Sequence, residues 1–502
     1  MAELRSYQFP IRVDPSVAFG LSLSRLITVG VAGVVFIVMM TVGGTTVIAV
    51  GTVLLVLLAG GTFVRVGGRY AIDWLPVWVG FGWSAATRNN EFYSSPELTG
   101  ELPEGTLDLP GELFGLELHE YRPDGAEVAT GRCYGMLRDT FRDRMLAVIE
   151  LSGQDFLFLD PDDEQARIAA WGATLDHLAQ SMPELVRLQV VHTVATTVGG
   201  DLDGGHLASA GRGSPATAAS YRQVVERCVT TTQEHRCLLA IALETRQARR
   251  AVRQAGGGLA GAGQVLIDRA VAVQDALEAA GLDVHGWLSA RQLARLLREA
   301  YDPEVAAGPG VDPAEAAHTA GGAAEQTAVA AANAGPAAMV DQWSAVRHDS
   351  GWSTTLQVVR PPSRPVTGDF LQHLLIGVPV RRRMSLLYVP TSMQVAERRA
   401  QTEQVSTEAE QAVRVRWGFG TSARHRRAHA DAAVREAELV EGRAVFRVVW
   451  LVTVTADDPA GLDAAVGQVD AAARRCGVEL RRLTGTQRQA FGFTLPLCRG
   501  AR

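Results

Sequence analysis

The chain has no lysine: all 48 of its Lys-plus-Arg residues are arginine. That absence excludes a P-loop, whose G-x-x-x-x-G-K-[ST] pattern needs a lysine to reach the terminal phosphates. Together with abundant Ala, Gly, Val and Arg, it reads as GC-rich coding rather than selection for phosphate-binding forks. Cysteine is sparse, at five residues in 502. Cys133, Cys228, Cys237, Cys476 and Cys498 are odd in number and widely spaced, which suits a reducing compartment and not a disulfide framework. Excess positive charge is also missing: the net charge is -6. A dominant role on DNA or RNA would call for a basic domain, so no direct nucleic-acid partner is expected.

Charge is absent altogether between Arg25 and Arg65, a stretch of 39 residues. One spanning helix needs about 20 apolar residues, so this stretch holds two. Gly43-Gly44 near its middle permits a tight reversal. The sequence therefore predicts a transmembrane hairpin over 26–64, with helices at about Leu26–Val42 and Thr45–Val64. A signal peptide fits poorly, because the run is too long and no A-x-A-like site ends it. Arg5, Arg12 and Arg25 precede the hairpin, and Arg65, Arg69 and Arg88 follow it. The positive-inside rule then keeps both ends in the cytoplasm, with the protein in the inner membrane. Tyr70, Trp74, Trp78 and Trp83 come next and read as a membrane-interface segment, the alternative being a packing strip on the soluble domain. Small residues at Gly30, Ala32, Gly33, Ala49 and Gly51 suit close helix contact, within the pair or with another membrane subunit.

The rest reads as α+β, a cytoplasmic part whose pattern divides the chain further. An N-terminal cytoplasmic segment covers 1–25, and a juxtamembrane aromatic segment and linker covers 65–110. A small antiparallel β subdomain is expected at 111–155, from strand-like runs Leu113–Tyr121, Glu127–Leu137 and Met145–Leu151 with turn chemistry at Pro123-Asp124-Gly125. A first α/β unit follows at 156–301. Its first helix opens at Asp160-Pro161-Asp162-Asp163-Glu164, and Ile168, Trp171, Leu175 and Leu178 then recur at helical spacing. Strands Leu185–Val194 and Cys237–Leu243, helix Gly263–Ala280 and helix Ser289–Ala300 complete a ferredoxin-like β-α-β pattern. Residues 302–340, dominated by Ala and Gly, read as a flexible insertion. A second α/β unit covers 341–502, with strands Trp352–Val359, Met384–Val389, Val445–Thr455 and Val478–Leu483. A helix runs from Asp458-Pro459 to Arg475, and Ser392–Gln411 reads as helical.

No catalytic, cofactor or metal constellation emerges. The glycine run 256–263 follows no convincing strand and lacks a placed acidic residue for a ribose, so it reads as a loose loop before a helix. Cys228, His235 and Cys237 lack zinc-module spacing. His425 and His429, beside Arg424, Arg426 and Arg427, read as a solvated face. No G-x-S-x-G elbow is present. Arg381-Arg382-Arg383, between apolar runs Leu371–Val380 and Met384–Val389, is the sharpest charge run. It reads as a solvated turn or as a partner-binding patch for an acidic surface or lipid headgroups.

Arg435-Glu436-Ala437-Glu438-Leu439-Val440-Glu441-Gly442 introduces the last strand–helix–strand unit. Leu483-Thr484-Gly485-Thr486-Gln487-Arg488-Gln489-Ala490-Phe491-Gly492 and Leu495-Pro496-Leu497 close it. This region resembles the final part of the N-terminal domain of type IV secretion ATPases. Arg382–Tyr388 and Gly281–Tyr301 are similar to actinobacterial membrane proteins encoded with such ATPases, in which a PrgI-type two-helix membrane segment is fused to an ATPase-like N-terminal domain. The resemblance stops at Arg502, where the motor domain would begin, so hydrolysis is not carried over. It implies a non-catalytic structural subunit of a type IV-like secretion or conjugation apparatus. Such a subunit would be a scaffold whose partners are the secretion ATPase, other membrane channel subunits, membrane lipid and further copies of itself. A type VII secretion membrane component and a membrane-tethered enzyme are the alternatives.

Overall fold

The computed structural model describes residues 7, 9, 23–94, 105–122, 133–152, 160–196, 233–306, 331, 333–392, 395–398, 402 and 423–500. The turn at 123–125, the glycine-rich stretch 198–219, Cys228, most of the 302–340 insertion and most of 392–411 lie outside the described residues. The chain divides into two units, one of Gln8–Thr87 with Thr391–Val445, the other of Met1–Tyr7, Arg88–Pro390 and Phe446–Arg502.

In the first unit, helix α1 spans Leu23–Val42 and helix α2 spans Thr45–Phe63, broken at Gly43-Gly44. Hydroxyls within these apolar helices satisfy themselves locally: Thr41 Oγ1 donates to Val38 O and Thr52 Oγ1 to Ile48 O, both at 2.8 Å. Gly51 of α2 lies against α1, where an added Cβ would stand 3.0 Å from Met39 Sδ and 3.4 Å from the Phe36 ring. A short hairpin follows, β1 Arg65–Val66 and β2 Arg69–Tyr70. It turns on Gly67 and Gly68, whose φ of 57° and 77° favour residues without a side chain. Helix α3, Leu75–Ala86, then carries Pro76 in its first turn, where a missing N–H costs nothing. A further helix runs over Ala423–Val440.

The second unit is α+β, built on a 13-stranded sheet whose every described pairing is antiparallel. After β3 (Glu91–Tyr93) come β4 (Leu116–Tyr121), β5 (Tyr134–Asp139) and β6 (Arg144–Leu151), then helix α4 (Pro161–Ser181). Strands β7 (Leu185–Thr196) and β8 (Gln233–Glu244) lead to helix α5 (Gly258–Ala279), strand β9 (Val284–Trp287) and helix α6 (Ala290–Tyr301). The same succession then repeats. β10 (Ala338–Asp341), β11 (Val346–His348), β12 (Gly351–Arg360), β13 (Arg382–Thr391) and β14 (Val445–Ala456) are followed by helix α7 (Pro459–Arg475), strand β15 (Glu479–Arg482) and helix α8 (Gln487–Thr494).

The sheet order makes the repeat plain: β3-β10-β11-β12-β14-β13-β7-β8-β6-β5-β4, with β15 on β12 and β9 on β6. Read outward from the β7–β13 junction, both halves have one order. β8 and β9 flank β6 as β14 and β15 flank β12, which makes each half a split β-α-β unit. The two halves are thus joined edge to edge, Val191 opposite Ser385 at the middle of the seam. The strands expected as a separate subdomain at 111–155 belong to this same sheet. The last residues of the expected flexible insertion do too: Met339 is in β10, and Ala331 and Ala334 are buried beside it.

Packing follows from alternation along the strands, which sends successive side chains to opposite faces. One face buries Met145, Ile149, Leu239 and Ile241 under α4 and α5, and Leu356, Val452 and Val454 under α7. The other buries Leu146, Val148, Leu238 and Ala240 with α6, α8 and the segment Leu495–Cys498. Two helix starts are capped by side chains. Ser289 and Gln292 form a reciprocal capping box at α6, and Asp458 Oδ1 accepts from the N–H groups of Ala460 and Gly461 at α7, each at 2.9 Å. The glycine run 256–263 is not all loop: α5 begins at Gly258. Gly261 and Gly263 are glycine because of close approach. A Cβ on the first would meet Val252 O at 2.7 Å, and one on the second the Tyr121 ring at 2.5 Å.

Candidate membrane anchor and docking residues

Apolar residues built into α1 and α2 are left uncovered. Val34 and Ile37 on α1, and Val50, Val56 and Leu57 on α2, are each more than half exposed. Among the described residues, one window, Thr45–Thr62, is long and apolar enough to cross a membrane, with mean hydropathy 2.0. Gly30–Thr41 of α1 is apolar but shorter.

The four aromatic residues expected at the interface are divided by the structure. Trp78 and Trp83 stand out from α3 at 63% and 71% exposure, on a helix with no charged residue. Tyr70 and Trp74 are half-buried beneath arginines. The Arg65 guanidinium carbon lies 4.5 Å from the Tyr70 ring centroid, and that of Arg69 5.6 Å from Trp74. At 12 residues α3 is too short to span a bilayer.

Arg381, Arg382 and Arg383 are not a solvated turn. Arg382 opens β13 and is 3% exposed. Its guanidinium donates to four carbonyls of one loop: Leu374 O at 2.9 Å, Val380 O at 2.9 Å, and Val378 O and Leu375 O at closer range. Burial holds its pKa down to about 10, so it stays charged at neutral pH. A guanidinium so occupied presents no fork to a partner. Arg383, alternating to the other face, lies 5.6 Å from the Phe491 ring and is likewise lowered to about 10 by burial. Arg381 is half-buried, and burial lowers its pKa too.

Behind Arg383 lies a fully enclosed polar group of the sheet, which the sequence did not single out. His348 is fully buried between Tyr301 and Phe491. Its Nδ1 is 2.6 Å from Tyr301 O, which can only accept, so Nδ1 carries the proton. Nε2 then accepts from Ser353 Oγ at 2.7 Å, and Ser353 Oγ accepts from Thr455 Oγ1 at 2.7 Å. Ser353 and His348 have the contact of a nucleophile with its base, yet both are 0% exposed and no substrate reaches them. Burial drives the His348 pKa down to about 4, consistent with a neutral structural imidazole.

The closing segment that carries the sequence resemblance is fastened across the seam. Gln189 Nε2 donates to Ser385 Oγ at 2.8 Å and to Phe493 O at 3.0 Å, and its Oε1 accepts from Cys498 N–H at 2.6 Å. Arg187 donates to Cys498 O and Gly500 O. Arg499 and Asp139, 3% and 2% exposed, pair at 3.0 Å. Among the described residues, no group of three or more His, Cys, Asp or Glu could hold a metal ion. His192 and His235, far apart in sequence, come together on neighbouring strands. Alternation along β7 and β8 is their only sequence signal, and it cannot give the register. No protein-family model matches the chain, and no curated protein matches it.

Proposed function

We propose that the chain is a non-catalytic structural subunit of the inner membrane, within a type IV-like secretion or conjugation apparatus. In this reading α1 and α2 cross the membrane as a hairpin turning at Gly43-Gly44. Helix α3 lies at headgroup depth, with Trp78 and Trp83 in the interface. The sheet unit, two halves of ferredoxin-like connectivity, stays in the cytoplasm. There it docks the secretion ATPase and sits beside the channel subunits.

The observation that carries the reading is the uncovered apolar surface of α1 and α2. In water it costs roughly 25 cal/mol for each Å², and lipid removes that cost. The secretion assignment rests on the likeness of Arg435–Gly442 and Leu483–Gly492 to the ATPase N-terminal domain. The Ser353–His348 contact is fully buried, which weighs against its serving a hydrolase. The test is purification of the tagged, full-length protein from membranes in mild detergent, with mass spectrometry of what accompanies it. Co-recovery of a secretion ATPase and a polytopic channel subunit is expected. Repeated recovery of the folded protein without either would sink the assignment.

A further inference from the structure

His192 on β7 and His235 on β8 meet on the face of the sheet covered by α4, α5 and α7. The register puts them there. His192 stands directly opposite Cys237 on one side and Met384 of β13 on the other, and His235 is one pleat repeat from Cys237. Cys237 packs with the core under α4 and α5, and Met384 with the core under α7, so the pair stands between the two. The rings lie 5.3 Å apart at 39°, and His235 Nδ1 is 3.3 Å from His192 Nε2. One proton bridges the two nitrogens in this arrangement.

The same separation is what a single cation requires. Metal–imidazole bonds of about 2.0–2.1 Å at tetrahedral angles hold two ligand nitrogens about 3.3–3.4 Å apart. We propose that His192 and His235 form a two-histidine site for a borderline divalent cation of the zinc, cobalt or copper kind, with water in the remaining positions.

Several features agree. Both donors sit on paired strands, so no backbone movement is needed. Burial, then the facing imidazole, then Arg382 hold the His192 pKa down to about 4. Burial and Arg382 also lower that of His235. Both rings are therefore in the neutral, ligating form at pH 7. His235 is exposed and leaves an open side for water. One pleat beyond it on the same strand face, Gln233 Oε1 is buried without a hydrogen-bond partner. The nearby charge of Arg382 opposes a cation, but its guanidinium is committed to the carbonyls of residues 374–380. Cys237 packs against the core under α4 and α5 and is left out of the ligand set. Bound metal would clamp β7 to β8 and stabilise the native state by mass action.

The test uses the full-length protein in mild detergent, without a polyhistidine tag, titrated with Co²⁺ and Zn²⁺ by calorimetry and by the cobalt absorption spectrum. A single equivalent is expected to bind the wild type and to be lost in both His192→Ala and His235→Ala, with circular dichroism unchanged. Zn²⁺ should raise the urea midpoint of the wild type and of neither variant. Equal binding by the wild type and both variants would overturn the site. A cobalt–thiolate absorption band that disappears in Cys237→Ser would overturn the ligand set.

Discussion

Replacing Arg382 by alanine separates a docking residue from an internal staple. The guanidinium has four carbonyl acceptors, and those of Leu374 and Val378 are bonded in fully buried geometry. The other two bonds, to Leu375 and Val380, are part-buried, and water can reach those carbonyls once the side chain is gone. Each buried carbonyl left without a donor costs about 1–3 kcal/mol. Arg382→Ala is thus expected to destabilise the sheet unit by about 2–6 kcal/mol. Arg382→Lys should recover only part of this, because one ammonium cannot reproduce a planar fork. Arg381→Ala, at a half-exposed position, should cost less than about 1 kcal/mol. Urea unfolding followed by tryptophan fluorescence in detergent reads all three. If Arg382→Ala left the midpoint at the Arg381→Ala value while ATPase co-purification was lost, the staple would be wrong and the docking patch right.

Other consequences follow from particular residues. His348 is held neutral, with a folded pKa of about 4 against an ordinary 6.5. Between these values the unfolded state binds the extra proton, so stability is full above about pH 6.5 and falls as the pH drops toward 4. The loss approaches about 1.4 kcal/mol per pH unit from this one group. His348→Gln should flatten the urea midpoint against pH over that window, and an unchanged slope would count against the assigned tautomer network. Gly135→Ala would place a Cβ 2.6 Å from Leu293 Cδ1 and 2.7–2.8 Å from the backbone where α6 begins, and should destabilise by about 1–3 kcal/mol. Gly467→Ala, within α7 and with nothing in reach of the new methyl, should instead stabilise by about 0.5–1 kcal/mol in the same assay. In proteoliposomes, brominated lipid should quench wild-type fluorescence more than that of the Trp78→Phe/Trp83→Phe double variant. Equal quenching would remove α3 from the headgroup region.

Where alternation or helical spacing was local, the sequence was legible. Val445–Thr455, Asp458–Arg475, Cys237–Leu243 and the acidic start at Asp160 all fall within a few residues of the observed elements. Non-local pairing was not legible. That β4–β6 join the same sheet as β10–β15 depends on edges meeting at Val191 and Ser385, nearly two hundred residues apart in sequence. Arg382 misled for a related reason. Three arginines in a row signal solvent, but a strand start turns the middle one inward onto a loop whose carbonyls need donors. Gly261 and Gly263 looked like loop residues because glycine weakens a helix. Here the packing of the Val252–Ala255 backbone and Tyr121 outweighs that preference. His192 and His235 carried no local signal, since their contact exists only through the β7–β8 register.

Everything proposed for the anchor rests on α1 and α2 crossing the membrane with their turn outside. Gly44 reports this directly, because it has φ −76° and nothing within 4 Å of an added Cβ, so cysteine fits there. Intact spheroplasts carrying Gly44→Cys would be treated with a membrane-impermeant maleimide, with the wild type and its five native cysteines as the control. The account expects labelling of Gly44→Cys in intact spheroplasts and labelling of the wild type only after lysis. Labelling of Gly44→Cys only after lysis, or of the wild type before it, would contradict the hairpin and the cytoplasmic sheet together.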